Sequence, residues 1–261
     1  MRCVFNIIIL CVVAAQKKLC TEALPIPPDG KSLDDFFEMR SKRNLLFSAD
    51  ATITDVQTPT DAQIGIFQAE ASAGRLQAGM SAQDSNAITV LVEIANPPMS
   101  FIGIKLLSKV TVGTQLLRGS IDNSAEDLKG RHHPTFPEYQ FTLVDSSFEA
   151  EGPKALVWMF NKIMKRDDPK ERSANDSMKT TGFTRVWAEP IDDKNMVLCT
   201  YAKLESQIRI PRMMIAILPL SLEKLEQQGS NTLQASVERD ITPAIERFKI
   251  AYLEWIQNND Q

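Results

Sequence analysis

Residues 218–257 read LPLSLEKLEQQGSNTLQASVERDITPAIERFKIAYLEWIQ, and this stretch decides the predicted fold. Apolar side chains recur in it at spacings of mostly three or four residues, which places them along one side of a helix. The stripe consists of Leu222, Leu225, Leu233, Val237, Ile241, Ile245, Phe248, Tyr252 and Trp255. We therefore predict a long C-terminal helix that buries this side, with Ser221 as its N-cap, a candidate break at Gly229 and a kink at Pro243.

The chain ahead of this helix alternates with a period of two, which is typical of half-buried antiparallel strands. The pattern predicts strands over residues 47–56, 88–94, 104–116, 139–143, 182–189 and 196–210, of which the last two form a hairpin. One or two short helices are predicted between residues 59 and 74, and a long loop over residues 120–137. Residues 154–164 are apolar on both sides and fit either a buried strand or a short helix.

The N-terminus has the pattern of a signal peptide. A short positively charged start and an apolar run are followed by Val13 and Ala15, at the −3 and −1 positions of a cleavage site. This pattern predicts a signal peptide over residues 1–15 and entry into the secretory pathway. The predicted destination is a plastid reached by that route, or secretion. The alternative is that the run forms a buried first strand or an uncleaved anchor.

The next segment, residues 16–46, is polar and rich in proline. We predict a linker or second targeting segment, with a short helix that Ser32 caps. Of the four cysteines, only Cys20 and Cys199 would remain after removal of the signal. We therefore predict no disulfide framework and interpret Cys199 as a structural thiol.

Charge and motifs exclude several classes of function. The net charge is −4, so the chain has no global basic field, and no nucleic-acid partner is expected. The sequence contains no nucleophile elbow, phosphate-binding loop or zinc-protease motif. Its two histidines, His132 and His133, are adjacent and point to opposite sides of an extended chain, which does not suit one metal ion. We expect no catalytic residue, no metal and no cofactor.

The order of elements resembles the START and Bet v 1-like superfamily. The closing residues are similar to those of an uncharacterised family of cyanobacterial and plastid proteins within it. The matching residues are Pro211, Pro219, Gly229, Asn231 (one position late), Tyr252 and Trp255, together with FSADATI at residues 47–53. The match covers mainly residues 208–255. It implies one α+β helix-grip domain over residues 47–257, in which a curved antiparallel sheet of about six or seven strands wraps the C-terminal helix. It brings no established activity.

The helix-grip arrangement implies a pocket between the sheet and the helix. Its predicted lining is Leu106, Val110, Val112, Phe141, Leu143, Trp158, Leu198, Thr200, Met213, Met214, Phe248 and Tyr252. Thr200, Ser206 and Tyr252 are the polar groups that would orient a ligand. The alternative is that the same residues pack as a dry core. Residues 209–219 are apolar and bounded by prolines, which fits a gate, a membrane contact through residues 209–218, or a buried crossover.

These observations lead to three hypotheses of function. The first is a non-catalytic binding or carrier protein for an apolar small molecule such as a lipid, pigment or isoprenoid. The second is a cyclase-like enzyme that uses the same cavity, for which Asp145 is the one suggestive acid. The third is a filled-core adaptor that assists assembly of membrane complexes. A cavity separates the first two hypotheses from the third, and an inward-facing titratable pair separates the second from the first.

Overall fold

The structure is a computed structural model, and it describes residues 8–28, 32–77, 88–95, 98–101, 104–117, 136–158, 178–211 and 221–257. The strands are β1 (Ile8–Cys20), β2 (Leu24–Pro25), β3 (Thr52–Asp55), β4 (Ile88–Ala95), β5 (Met99–Phe101), β6 (Ile104–Leu117), β7 (Glu138–Glu151), β8 (Met178–Pro190) and β9 (Asn195–Pro211). The helices are α1 (Leu33–Glu38), α2 (Arg40–Asn44), α3 (Asp61–Gln77) and α4 (Leu222–Gln257). Residues 154–158 are also helical.

The described strands form one antiparallel sheet, in the order β1-β9-β8-β7-β6-β4-β3, with β2 beside β9 and β5 beside β6. A register shift between Thr111 and Val112 marks a bulge, which bends a sheet locally. The long helix α4 closes the chain and packs its C-terminal half against the sheet. The predicted α+β helix-grip fold is confirmed.

The side of the sheet toward α4, here called the inner face, is densely packed at one end. Phe36 and Phe37 of α1 are inserted between the sheet and Phe248 and Tyr252 of α4, and all four side chains are fully buried. The sheet contributes Leu116, Tyr139, Phe141, Val186, Ala188 and Leu198 to this cluster. We call this cluster of residues the aromatic core.

The opposite side of the sheet, here called the outer face, is covered by α3. Phe67 lies so close to Gly113 that a Cβ atom there would be 2.0 Å from the phenylalanine ring, and a Cβ atom at Gly74 would be 2.4 Å from the ring of Phe183. Glycine is therefore needed at both places. Because α3 covers this side, Leu91 of β4 is as well buried as its neighbour Val92, which faces the other way.

The N-terminal half of α4 runs beside β1, the edge strand. An edge strand carries backbone groups without a neighbouring strand, and these usually need protection. Here α4 side chains accept from them: Val12 N–H donates to Glu226 at 3.1 Å, Ala14 N–H to Ser230 at 3.3 Å and Gln16 N–H to Gln234 at 3.1 Å. The acceptors are four residues apart, so they lie in line along one side of the helix.

The N-terminal residues belong to the sheet in the full chain. Residues 8–15, predicted to be part of a signal peptide, form the first part of β1 and pair with β9 from Ile8↔Pro211 onward. This arrangement corresponds to the alternative of a first strand. The side chains of Val13 and Ala15 are buried. Removal of residues 1–15 and entry into the secretory pathway stay predictions.

The expectation that the cysteines form no disulfide was wrong. Cys20 and Cys199 are direct neighbours across β1 and β9, and their sulfur atoms are bonded at 2.06 Å. Their 179-residue separation hides the pair in the sequence, because only the pairing of the first strand with the last brings them together. Cys199 is therefore half of a cystine and not a free thiol.

The segment interpreted as a linker, residues 16–46, is instead part of the packed domain. Ser32 caps its predicted helix, with the Ser32 hydroxyl accepting from Asp34 N–H at 3.2 Å. The helix breaks at Met39 into α1 and α2. Its two phenylalanines enter the aromatic core, so the domain begins well before residue 47.

The remaining elements follow the prediction with local differences. The helix α3 is single and passes through Gly74, and α4 is continuous through both Gly229 and Pro243. The hydroxyl of Ser221 accepts from Lys224 N–H at 3.4 Å, as an N-cap does. The predicted loop over residues 120–137 lies almost entirely outside the described part of the chain.

Candidate functional site

The inner face changes character beyond the aromatic core. Val112, Leu143, Gly182, Leu204 and Ala15 lie side by side on β6, β7, β8, β9 and β1, and we call them the open row. Ala15 is buried, whereas the other four are only partly buried. Gly182 brings the two leucines close together in the middle, since a Cβ atom there would be only 3.2 Å from Leu204 and 3.4 Å from Leu143. The row is thus an apolar and partly accessible surface.

An apolar stripe of α4 faces this part of the sheet. Leu233, Val237 and Ile241 continue, at four-residue steps, from Gly229 toward Ile245. Gly229 is packed against Val13 of β1, and Ile245 is buried in the aromatic core, so the three residues lie on the stretch of α4 between these two contacts with the inner face. All three are half-buried. Both the open row and this stripe of α4 are therefore apolar and incompletely covered.

The predicted site residues divide between the aromatic core and the open row. Phe141, Leu198, Phe248 and Tyr252 pack in the aromatic core, with Thr200 buried on the same face. Phe36 lies 5.0 Å from Phe248 and 5.4 Å from Tyr252 between ring centres, so this end is filled by the protein itself. Val112 and Leu143 belong to the open row, and Val110 follows on the same face, half-buried.

Three predicted site residues cannot be placed in the site by their side chains, and one lies elsewhere. Met213 and Met214 lie outside the described residues, and of Leu106 only its place in β6 is described. Trp158 was expected to line the pocket, but it lies in the helical segment at residues 154–158 and its side chain is 63% exposed.

The tyrosine hydroxyls near the site are occupied by backbone. Tyr252 donates to Pro25 O at 2.6 Å, and Tyr139 donates to Phe37 O. Burial raises the pKa of both phenols, and for Tyr139 the Arg43 guanidinium lowers the pKa by a smaller amount. Both groups therefore stay protonated and fasten α4 and β7 to the N-terminal segment. The hydrogen of the Tyr252 hydroxyl, which was predicted to orient a ligand, is used by Pro25 O.

Hydroxyl groups flank the open row on β8. Thr184 lies on one side of Gly182 and Thr180 on the other, and the Thr180 hydroxyl is 3.0 Å from that of Ser206 on β9. Ser206 is 3% exposed. Of the polar residues that the sequence suggested for orienting a ligand, Ser206 is the one beside the open row.

The one acid proposed for a catalytic role lies on the other face. Asp145 pairs with Thr111 at the bulge, next to Val144, which packs under α3. Its carboxylate accepts from the Ser146 N–H at 2.9 Å. Asp145 is thus separated from the open row by the sheet, which removes the argument for a cyclase built on it.

Two charged groups of the outer face, Arg185 and Glu138, are paired with each other. Arg185 binds both carboxylate oxygens of Glu138 at 2.7 Å, and Gln140 donates to the same carboxylate at 2.6 Å. The Arg185 guanidinium also lies 4.6 Å from the ring centre of Trp187. This cluster supports the sheet from outside and satisfies its own charges.

Sequence reasoning missed several residues that define the site. Phe36 and Phe37 escaped because a six-residue helix shows no period, although adjacent phenylalanines behind a capped start hint at burial. Leu204 could be recognised from the alternation of β9, which places it on the same face as Leu198. Gly182 gives no sequence pattern of its own, since its role depends on which residues lie beside it.

Comparisons add little to this geometry. No family model and no curated protein matches the chain. Among solved structures, a point mutant of Thalictrum flavum norcoclaurine synthase in complex with a transition-state analogue is similar over 76% of this chain and 93% of that chain, with 7% identity and a TM-score of 0.18. At this TM-score the likeness carries no argument. The fold assignment rests on the sheet and helix themselves, and the resemblance to the cyanobacterial and plastid family stays a prediction.

Across the described ranges, the helices are all too short or too polar to cross a bilayer. Residues 209–211 lie at the end of β9, and residues 212–218 of the predicted membrane-contact segment lie outside these ranges. Contact with a membrane surface through residues 209–218 stays a prediction.

Proposed function

We propose that this chain is a non-catalytic binding protein that holds an apolar ligand between the open row and α4. The observation that carries the proposal is the incomplete burial of two apolar sets, Leu143 and Leu204 on the inner face and Leu233, Val237 and Ile241 on α4. Covering apolar surface is favourable by about 25 cal/mol per Å², so a ligand that fills this space gains affinity without new polar contacts. Pockets lined mainly by apolar side chains are the usual sites for such molecules.

The aromatic core supports a second candidate, the filled-core adaptor. Its four fully buried rings leave that end of the inner face to the protein itself. The two proposals differ only in what happens at the open row. A carrier takes up a ligand there, whereas an adaptor does not.

Substitution of Gly182 by leucine tests the proposal. Even the first carbon of the new side chain would be 3.2 Å from Leu204 and 3.4 Å from Leu143, so the rest of the leucine has to occupy the space above these two side chains. We expect the variant to lose binding of the neutral fluorescent probe Nile red while its circular dichroism stays that of the native chain. Thr181→Leu is the matched control, because Thr181 is the neighbour of Gly182 on β8 and faces the opposite side. Equal binding by both variants, or no binding by the native chain, would favour the adaptor.

A further inference from the structure

We propose that the ligand carries one uncharged oxygen group, a hydroxyl or a carbonyl, that binds to the Thr180–Ser206 pair. This inference rests on the proposed function. The pair lies on the inner face two residues beyond Gly182 and Leu204, which is about 7 Å along the strands. The pair lies on the side of the open row that is away from the aromatic core. On that side Val13, the partner of Ser206 on β1, is in contact with Gly229 of α4.

The pair has hydrogen-bonding capacity left over. Each hydroxyl has one hydrogen to donate and two lone pairs that accept. The contact of 3.0 Å uses the hydrogen of one hydroxyl, whichever of the two donates. Among the described residues these side chains make no other hydrogen bond, so the second hydrogen can be given to a ligand oxygen. Ser206 is 3% exposed. A buried hydroxyl hydrogen without an acceptor carries a free-energy cost, so a hydrogen bond from it to a ligand oxygen is favourable.

The charges at the site favour a neutral group over a carboxylate. Lys17 shares the inner face with Ala202, its partner on β9, one row toward the aromatic core. Its ammonium group is already 3.3 Å from the carboxylate of Glu238 on α4. A ligand carboxylate beside the apolar row would lose its water without gaining a new cation there, which is costly. A hydroxyl or carbonyl has a much smaller desolvation cost.

The length of the facing stripe sets the size of the apolar part. Leu233 to Ile241 spans eight residues of helix, or about 12 Å. A chain of medium length therefore reaches from the hydroxyl pair toward the aromatic core. Decanol, decanoate and decane share one such chain and differ at its end, which makes them suitable probes.

The test is competition of decanol, decanoate and decane against Nile red on the full chain, at equal free concentrations. We expect decanol to bind more tightly than both others. Ser206→Ala and Thr180→Val should each weaken decanol binding roughly 3- to 10-fold, as for loss of one hydrogen bond, and leave decane unchanged. Thr181→Val is the matched control, because Thr181 lies on the same strand with its side chain on the outer face, and it should leave the affinity for decanol unchanged.

The outcomes separate this inference from the proposed function. If decane and decanol bind equally and the Ser206 and Thr180 variants match the native chain, the polar anchor is wrong and the apolar site stands. Preference for decanoate would also overturn the neutral anchor. If none of the three probes displaces Nile red, or Nile red itself does not bind, the proposed function fails and this inference with it.

Discussion

Phe36 and Phe37 are adjacent in the chain, yet both are fully buried. Neighbouring residues of a helix point about 100° apart, so both can be buried only if α1 is surrounded on most sides. Phe37 stacks on Tyr139 of the sheet at 5.1 Å, while Phe36 lies between Phe248, Tyr252 and Trp255 of α4. The pair thus joins the sheet to the helix, and the segment before residue 47 is needed for the helix to dock.

Substitution of Phe36 by alanine measures this connection. We expect the free energy of unfolding to fall by about 3–5 kcal/mol, as for a large cavity in a packed core. Urea denaturation checks the value, with Trp158→Ala as a control that should change it by no more than about 0.5 kcal/mol, since that side chain is exposed. A loss below about 1 kcal/mol for Phe36→Ala would show that α1 does not support the core.

The two buried phenols predict how stability depends on alkaline pH. Burial raises the pKa of Tyr139 and of Tyr252, so the folded chain keeps protons that an unfolded tyrosine loses near pH 10. Their contribution is complete below about pH 10 and is lost as the pH rises through the folded-state pKa values. Above pH 10 each tyrosine should lower the free energy of unfolding by about 1.4 kcal/mol per pH unit.

Urea denaturation at pH 9 and pH 11 tests the pH dependence. The double variant Tyr139→Phe/Tyr252→Phe should lose less stability between these values than the native chain. Tyr201→Phe, at the third tyrosine, should follow the native chain. Parallel losses in the native chain and the double variant would mean that other groups govern the alkaline limb.

At the scale of the secondary-structure elements, the close packing of α4 against β1 depends on Gly229. A Cβ atom at Gly229 would lie 2.5 Å from Val13 Cγ1, so the helix approaches the edge strand only because the glycine has no side chain. The same approach lets Glu226, Ser230 and Gln234 reach the strand's N–H groups. The predicted break at Gly229 is thus a close contact within a continuous helix.

A double-mutant cycle separates packing from helix propensity at this position. Gly229→Ala should cost about 1–3 kcal/mol of unfolding free energy in the native chain, because the added methyl meets Val13. In the Val13→Ala background the same change should stabilise by up to about 1 kcal/mol, since alanine favours helix more than glycine. Gly65→Ala in α3 is the control and should stabilise, because its Cβ would meet nothing within 4 Å. A stabilising Gly229→Ala in the native chain would contradict the close approach.

The elements that could be predicted are those in which a periodic pattern of apolar residues repeats over a long stretch of sequence. The strands β4, β6, β8 and β9 and the helix α4 extend far enough for alternation or helical spacing to identify them. The strand β1 could not be distinguished, because an apolar run followed by small residues suits a signal peptide and a strand alike. The line of Glu226, Ser230 and Gln234 was equally hidden. Polar side chains on a helix indicate a solvated face unless the neighbouring strand edge is known.

At the scale of the whole molecule, the first strand, β1, contacts both the last strand, β9, and the C-terminal helix, α4. The first strand and the last strand pair along thirteen residues, and the disulfide Cys20–Cys199 fixes one end of that pairing. The N-terminal half of α4 rests on β1, whereas its C-terminal half is held by the aromatic core. Two parts of one helix therefore depend on two different parts of the chain. The open row lies on the inner face between these two attachments.

The disulfide should contribute strongly to stability because it joins distant residues. With a sequence separation of 179 residues, the chain-entropy model gives about 5 kcal/mol, and typical measured values are about 2–4 kcal/mol. We expect Cys20→Ala/Cys199→Ala to lower the free energy of unfolding by about that measured amount in urea. Dithiothreitol should destabilise the native chain in the same way and leave the double variant unchanged. A native chain that is insensitive to the reductant would argue against this bond.

Cleavage at the predicted site after Ala15 should destabilise the N-terminal half of α4 and leave its C-terminal half protected. The cut removes Ile8–Ala15 from β1 and with it the contacts of Val12, Val13 and Ala14, whereas Gln16–Cys20 stays tied to β9 by the disulfide. We expect amide hydrogen exchange to accelerate in residues 222–237 and to stay slow in residues 245–257, because the aromatic core still holds the latter. Exchange mass spectrometry of the full chain beside a chain beginning at Gln16 measures both segments. Equal protection in the two chains would mean that α4 keeps its position without residues 8–15 of β1. The proposed site between the open row and α4 would then persist after cleavage.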